Sequence, residues 1–320
     1  MAADSPTIRL GISSCLLGGE VRFDGGHKRD GFLVETVGPL VEWVPICPEV
    51  EMGLGTPREP IRLVRWDEGV RLVGVRSDTD HTEGMEEFAR ERVTELARED
   101  LDGYILKKSS PSCGLLRVKT YTEEGNPADP DVGRFAAVLV EALPLLPVEE
   151  EGRLNDPTLR ETFFERVFAL HRFRREVLDD PSPRALVEFH ARHKYVLLAH
   201  SPEAYSGLGR LVADAGREPL PELLDVYGRG LATALAEPAT RGRHVNVLQH
   251  LLGFVSDEID DHDRAELVAQ IDDYGSGLVP LIVPVTLLRH HFGRGTGHAW
   301  ARNQAYLEPS PRELMLRNHV

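Results

Sequence analysis

Three cysteines, Cys15, Cys47 and Cys113, stand far apart in the chain, and each belongs to a segment built to turn sharply. The segments are Cys15-Leu-Leu-Gly-Gly19, Cys47-Pro-Glu-Val-Glu-Met-Gly-Leu-Gly55 and Ser109-Ser-Pro-Ser-Cys-Gly114. Glycine lets backbone amides approach a ligand closely, and proline fixes the path of approach. Three thiolates brought to one point could hold zinc or an iron-sulfur cluster, or one could be a nucleophile beside two bystanders. Buried structural thiols are the plain alternative, because free cysteine is a common small core residue. The wide spacing, without any CxxC pair, counts against a closed zinc site. On a four-iron cubane, three thiolates leave one iron without a protein ligand, open to a soft sulfur or to water.

These loops need a frame. Ile8 to Ser14 is a short β-rich run ending at Cys15, Val41 to Ile46 is another ending at Cys47, and Tyr104 to Lys107 leads into Cys113. Between the second and third runs, Met85, Phe88, Ala89, Val93, Leu96 and Ala97 recur at helical spacing, which predicts an amphipathic helix. Alternating strands and helices predict an α/β domain with a Rossmann-like parallel sheet, whose functional groups gather at the carboxyl ends of the strands. Beyond Arg184 the apolar period is three and four, as in Val245, Leu248, Leu251, Leu252 and Val255. That predicts an all-α domain of about five to seven helices. The expected division is 1–165 for the α/β domain, 166–182 for a helical linker with a break at Asp179-Asp-Pro-Ser-Pro183, and 183–320 for the helical domain.

The 320 residues are 41% hydrophobic and 28% charged, the balance of a folded chain with a sizeable core. A net charge of −15 repels phosphate at long range and argues against non-specific coating of nucleic acid. Met1 to Leu10 lacks a basic stretch followed by an apolar run, and Gly277 to Leu288 is too short and too interrupted by proline to span a bilayer. Cysteines this sparse suit a reducing compartment, so a cytoplasmic protein without membrane contact is expected.

The segments Cys15-Leu-Leu-Gly with Val21-Arg-Phe-Asp-Gly25, Cys47-Pro-Glu-Val-Glu-Met-Gly-Leu-Gly-Thr-Pro-Arg58, and Ser110-Pro-Ser-Cys-Gly114 resemble those of the thiouracil desulfidase (TudS) family, over residues 8 to about 160. The resemblance implies a 4Fe-4S cluster on Cys15, Cys47 and Cys113, with Glu49, Ser110 and Ser112 as catalytic neighbours. It implies non-redox removal of sulfur from thiouracil, thiouridine or its nucleotides, releasing hydrosulfide. In that chemistry, a thione sulfur bound at the open iron leaves its carbon electrophilic, Glu49 takes the proton of the attacking water, and Ser110 or Ser112 orients it. The second half, with Phe189-His-Ala-Arg-His-Lys194, Asn246-Val-Leu-Gln-His250 and Leu307-Glu-Pro309, resembles the YbgA-like domain often fused to that family. The expected partner is a small thiolated uracil compound, with a tRNA contact through the helical half left open. The alternative is a nucleic-acid or protein binding module acting on thiolated tRNA, in which a cluster or zinc is structural.

Each supporting residue has a plainer reading. Glu49 could cap a helix starting at Val50, leaving Glu51 as the fallback acid or base. Asp24 is a candidate substrate contact but also suits the turn before Gly25 and Gly26. Arg58 and Lys108, with Arg22 and Lys107 near them, could meet a substrate phosphate or stay solvated, and the two serines could merely shape their loop. Eleven of 13 histidines lie at or beyond His171. The clusters His190-Ala-Arg-His-Lys194, Arg241-Gly-Arg-His244 and Arg289-His-His291 could form an anion-binding face, and His190, His193 and His200 a metal site lacking an acidic partner, against a solvated default.

Overall fold

The computed structural model describes residues 7–294 and 299–320; Met1 to Pro6, part of the segment read for an export signal, and His298 of the counted histidines lie outside the described residues. The chain divides into two compact units between Asn155 and Asp156.

The strands of the first unit are β1 (Ile8–Ser13), β2 (Val41–Ile46), β3 (Ile61–Trp66), β4 (Gly69–Gly74), β5 (Gly103–Leu106), β6 (Val118–Thr122), β7 (Pro127–Asp131) and β8 (Val148–Glu150). Its helices are α1 (Pro48–Glu51), α2 (Thr82–Leu96) and α3 (Arg134–Ala142). One sheet runs β2-β1-β5-β8 with each neighbouring pair parallel, the α/β core that the sequence pattern predicts. Leu10, Ile12, Tyr104, Ile105 and Leu106 are fully buried, as expected of parallel strands covered on both faces. The strand order reverses at β1, which pairs with β2 on one side and β5 on the other, so a ligand crevice belongs at the carboxyl end of β1. On α2, Met85, Ala89, Val93 and Leu96 form the buried stripe.

A second sheet, β4-β3-β6-β7, combines antiparallel hairpins with a parallel β3–β6 pair. The sequence reading has no counterpart to it. Its edge strand β7 is Pro-Ala-Asp-Pro-Asp, without apolar alternation, and proline is tolerated there because an edge N–H needs no partner strand.

The second unit is helical, with α4 (Pro157–Phe173), α5 (Pro183–His200), α6 (Pro202–Ala213), α7 (Leu220–Ala234), α8 (Arg241–Val255), α9 (Asp261–Gly275), α10 (Ile282–Arg294) and α11 (Ala299–Arg302). Asp156, Ser182 and Ser201 cap α4, α5 and α6 through their side-chain oxygens, each followed by proline at the first helical position. The linker expected over 166–182 is instead part of this unit's core. α4 continues into a π-helical turn over Arg174–Leu178, and Ala169, Phe173 and Val177 are buried because their apolar side matches the helices around them. Leu281, Val285 and Leu288 are buried too, and among the described residues no helix is long and apolar enough to cross a membrane.

A buried ionic cluster ties α4 to the turns after α11. Arg317 Nε donates to Glu161 Oε1 at 2.8 Å, Arg317 Nη2 meets Glu165 Oε1 at 3.4 Å, and Arg317 Nη1 bonds the Tyr306 carbonyl. The other Glu165 oxygen faces His200 Nε2 at 3.2 Å. Burial opposes the His200 charge, but the hydrogen bond and charge of Glu165 prevail and raise its pKa. His193 and His244 have no such partner, and burial pushes both down to about 3.

A histidine whose folded pKa lies below its unfolded value contributes stability that is present above the unfolded pKa, near 6.5, and lost as pH falls through the folded one. Acidification should therefore penalise the wild type more than His193→Leu. The difference in unfolding free energy should move in the variant's favour by about 1 kcal/mol per pH unit between about pH 6 and pH 4. Urea unfolding across that range checks it; a difference independent of pH would contradict a neutral buried ring.

Candidate active site

Because β1, β2 and β5 are parallel neighbours, the loops that follow them leave the same edge of the sheet. Cys15 follows β1 in a turn over Ser14–Leu17, which Gly18 closes in the left-handed conformation at φ 99°. Cys47 follows β2 and starts α1, and Cys113 lies in the loop after β5. All three line one cavity of about 190 Å³, and all three are free thiols. Burial is the main influence on each, pushing Cys15 up to about 11 and raising Cys47 and Cys113 as well. Among the described residues no group of three His, Cys, Asp or Glu side chains is arranged to hold a single metal ion.

Glu49 lies on the wall of the same cavity. Its Oε1 accepts from Ser112 Oγ at 2.8 Å and, at the long distance of 3.5 Å, from Ser110 Oγ. Its Oε2 accepts from Arg58 Nε at 3.1 Å, with Arg58 Nη2 against the same oxygen. Helix capping falls to Glu51 instead, whose Oε1 accepts the Cys47 N–H at 2.9 Å. Ser110 Oγ also accepts the N–H groups of Ser112 and Cys113, at 3.3 and 3.1 Å, which leaves its own proton for Glu49. The two serines thus shape the loop and face the carboxylate at once.

The candidate substrate contacts are placed unequally. The Arg58 side chain is 6% exposed against 14% for Glu49, and its Nη1 donates to the carbonyls of Val21 and Gly55 at 3.0 and 2.8 Å. Protein acceptors therefore fill a guanidinium that the sequence offered to a phosphate. Lys108 lines the cavity and makes no ion pair among the described residues, whereas Lys107 pairs with Glu151. Asp24 is exposed and does not line the cavity; it accepts the Gly26 N–H at 3.1 Å and faces Arg22 Nε at 3.5 Å, as a turn residue would.

Several residues that sequence reasoning missed hold the Cys113 loop. Glu150 Oε1 accepts the N–H groups of Leu115 and Leu116 at 2.8 and 3.1 Å, and Glu151 Oε2 accepts that of Lys108 at 2.6 Å. From the other side, the N–H groups of Gly133, Arg134 and Ala136 at the start of α3 donate to the carbonyls of Gly114, Pro111 and Ser112 at 2.8, 3.1 and 3.1 Å. A Cβ on Gly133 would lie 2.4 Å from the Ser112 carbonyl oxygen, so the close approach requires glycine. Two adjacent acids closing a strand carry no motif, and nothing in their spacing singles them out.

In the second unit the histidines do not converge. His190 Nδ1 lies 3.1 Å from Tyr227 OH, His193 Nδ1 lies 2.9 Å from the Phe189 carbonyl, and His200 faces Glu165. The Arg241-Gly-Arg-His244 cluster is no open anion face either: Arg241 Nη1 donates to the Tyr274 carbonyl at 2.6 Å, and His244 is buried 2.8 Å from Tyr306 OH. Positive charge collects on a cavity of about 470 Å³ lined by Arg192 and Arg289, from the other two clusters, with Arg172 and Arg302, and Glu308 is its one acidic lining residue among those described. Arg192 pairs with Glu176, and Arg289 with Glu308 at 3.0 Å.

A parallel-sheet unit with three thiols and a clamped carboxylate on one cavity, followed by a separate helical unit, defines a two-module protein with an enzyme-like first module. The chain belongs to the 2-thiouracil desulfurase family over residues 10–151, and over residues 194–311 to a family described as a protein of unknown function, DUF1722. The uncharacterised protein YbgA of Escherichia coli (strain K12) is 35% identical over 167 residues, covering 52% of this chain and 95% of that protein. The uncharacterised protein YbbK of Bacillus subtilis (strain 168) is 33% identical over 153 residues, covering 45% of this chain and 97% of its own. A solved structure, the 4Fe-4S-dependent thiouracil desulfidase TudS, shares 30% identity, covers 46% of this chain and 93% of its own, and has a TM-score of 0.40.

The pairing of Glu49 with Arg58 is testable without any substrate. Arg58→Ala leaves a largely buried carboxylate unpaired and should cost about 3 kcal/mol of unfolding free energy. Glu49→Ala combined with Arg58→Ala should cost less than Arg58→Ala alone. Additive losses in urea unfolding would show that the two side chains are not coupled.

Proposed function

We propose that the first unit hydrolyses the C=S bond of a thiolated uracil compound, giving the uracil product and hydrosulfide without net redox change. The observation that carries this reading is the clamped Glu49 carboxylate on a cavity shared by three thiols. The donor set suits a 4Fe-4S cluster on Cys15, Cys47 and Cys113. Among the described residues no three side chains close on a single metal ion, as a structural zinc would require, whereas three free thiols on one cavity would serve as the protein ligands of a cluster. When bound, such a cluster supplies an iron without a protein ligand, a soft Lewis acid for thione sulfur.

The chain's own residues do the rest. Glu49 accepts the proton of the water that adds to the thiocarbonyl carbon and returns one as sulfur departs. Ser112 and Ser110 hold Oε1, and Arg58 holds Oε2, so the carboxylate cannot swing out of line. In this reading Arg58 positions Glu49 and does not contact substrate. Among the described residues that line the cavity, Lys108 makes no ion pair, and it is the cation we assign to an anionic substituent such as a nucleotide phosphate. Asp24 acts through the turn it closes. Free thiols and a soft metal site suit a reducing cytoplasm, where we place the protein.

Anaerobic reconstitution with iron and sulfide tests the reading. Glu49→Ala should retain iron and its brown charge-transfer absorbance while hydrosulfide release from thiouracil falls at least about 100-fold. Cys113→Ser should lose both. Wild-type turnover by Glu49→Ala would overturn the assignment of the proton acceptor.

For the second unit we propose binding of RNA phosphate, thiolated tRNA being the larger substrate. The supporting observation is the four-arginine cavity in a chain of net charge −15, a local field opposite in sign to the whole. Replacing Arg192 and Arg302 by Gln should weaken tRNA binding and lower the salt slope by about one unit for each phosphate no longer neutralised. Release of sulfide from free thiouracil should be unchanged. An unaltered tRNA affinity across a salt series would remove this role from the cavity.

A further inference from the structure

We propose that Phe23 is a specificity-determining residue of the first unit, its ring stacking on the flat pyrimidine of the substrate and so selecting conjugated ring thiones over saturated ones. The inference rests on the reading that this cavity desulfurates a thiolated uracil compound.

A single exposed apolar side chain on a protein surface means little by itself. Phe23 is 38% exposed and outside the buried core of its unit, but it lines the cavity of the three thiols and is the one aromatic side chain among the described residues that do so. Its backbone is held closely for a residue with so little packing. The Arg22 N–H donates to the Gly26 carbonyl at 3.2 Å and the Gly25 N–H to the Arg22 carbonyl at 3.0 Å, closing a turn in which Gly25 takes the left-handed φ of 75°. The Arg58 N–H donates to the Phe23 carbonyl at 2.9 Å, and Arg58 Nη1 to the Val21 carbonyl at 3.0 Å. The same residue holds Glu49 Oε2 through Nε at 3.1 Å. One arginine thus fixes the ring-bearing turn and the proton acceptor relative to each other, as a flat substrate requires if its thiocarbonyl carbon is to meet the carboxylate in register. The Arg22 guanidinium lies over the Phe23 ring, 5.5 Å from its centroid, which leaves the other face for a planar ligand. The other apolar lining residues are aliphatic and offer no π-face, the one feature that every nucleobase ring presents.

The test uses the full chain, reconstituted anaerobically, and compares 2-thiouracil with 5,6-dihydro-2-thiouracil, which keeps the thiocarbonyl and both ring N–H groups but is saturated and puckered at C5 and C6. Phe23→Leu keeps an apolar side chain without the π-face; Phe23→Tyr keeps the face. In Phe23→Leu, KM for thiouracil should rise about 10-fold with kcat little changed. Binding of the dihydro compound, as substrate or competitive inhibitor, should stay near the wild-type value, and iron content should be unaltered. Phe23→Tyr should match the wild type throughout. An unchanged KM for thiouracil in Phe23→Leu, an equal loss on both compounds, a loss of iron, or equal impairment of the two variants would each overturn the stacking role, because a ring that only shields the cavity or holds the fold gives one of these results. A wild type that fails to desulfurate thiouracil would overturn the proposed function and this inference together. A wild type active on thiouracil, with any of the results just named, overturns the Phe23 role alone.

Discussion

Parallel neighbours in a sheet cannot be joined by a tight turn, and the first unit is organised by that constraint. Strands adjacent in space must be distant in the chain, with a crossover between them. β1, β2 and β5 lie side by side, yet each begins tens of residues after the one before. Side chains just past their carboxyl ends become neighbours that no local motif could bring together. The dispersed cysteines are therefore the ordinary product of a parallel topology, and the absence of a CxxC pair follows from it. The same topology sets the chemistry at the point where the strand order reverses, where no crossover covers the sheet edge.

Such an edge is only useful if its loops are held still, and the protein does this with charge taken out of water. An ionised group buried without a partner is costly, so each buried carboxylate must be paired or hydrogen bonded, and the geometry that satisfies it is rigid. Glu49 between Arg58 and two serines, Glu150 across two backbone amides, and Glu151 across Lys107 and Lys108 are three instances around one cavity. The second unit uses the same device at a larger scale, where Arg317 spans Glu161 and Glu165. In the first unit the device orients groups around a cavity; in the second it fastens secondary structure.

Much of this is legible in the sequence. The strands before the three cysteine loops, read to within a residue of their ends at Ser13, Ile46 and Leu106, the stripe on α2 and the helical second half follow from apolar period and turn residues, which are local properties. What stays hidden depends on tertiary partners. The sequence ranks Glu49 before Glu51 through the resemblance but assigns the helix cap to Glu49, and only folding shows Glu51 meeting the Cys47 N–H while Glu49 meets Ser112. Arg58 reads as a substrate contact or a solvated cation because its acceptors, Val21, Gly55 and Glu49, are brought to it by folding. The basic runs of the second half part ways for the same reason: Arg241 and His244 point into the helical core, while Arg192 and Arg289, from the other two runs, line the arginine cavity with Arg172 and Arg302. The second sheet escapes because β7 has the composition of a loop.

Gly133 gives the site an unusual mutational profile. Every other amino acid carries a Cβ, and a Cβ there would overlap the Ser112 carbonyl oxygen. No conservative exchange exists at this position, not even alanine. The damage would pass through Ser112 to the Glu49 carboxylate it holds, so a substitution at a helix-capping glycine would disturb the cavity wall from outside it.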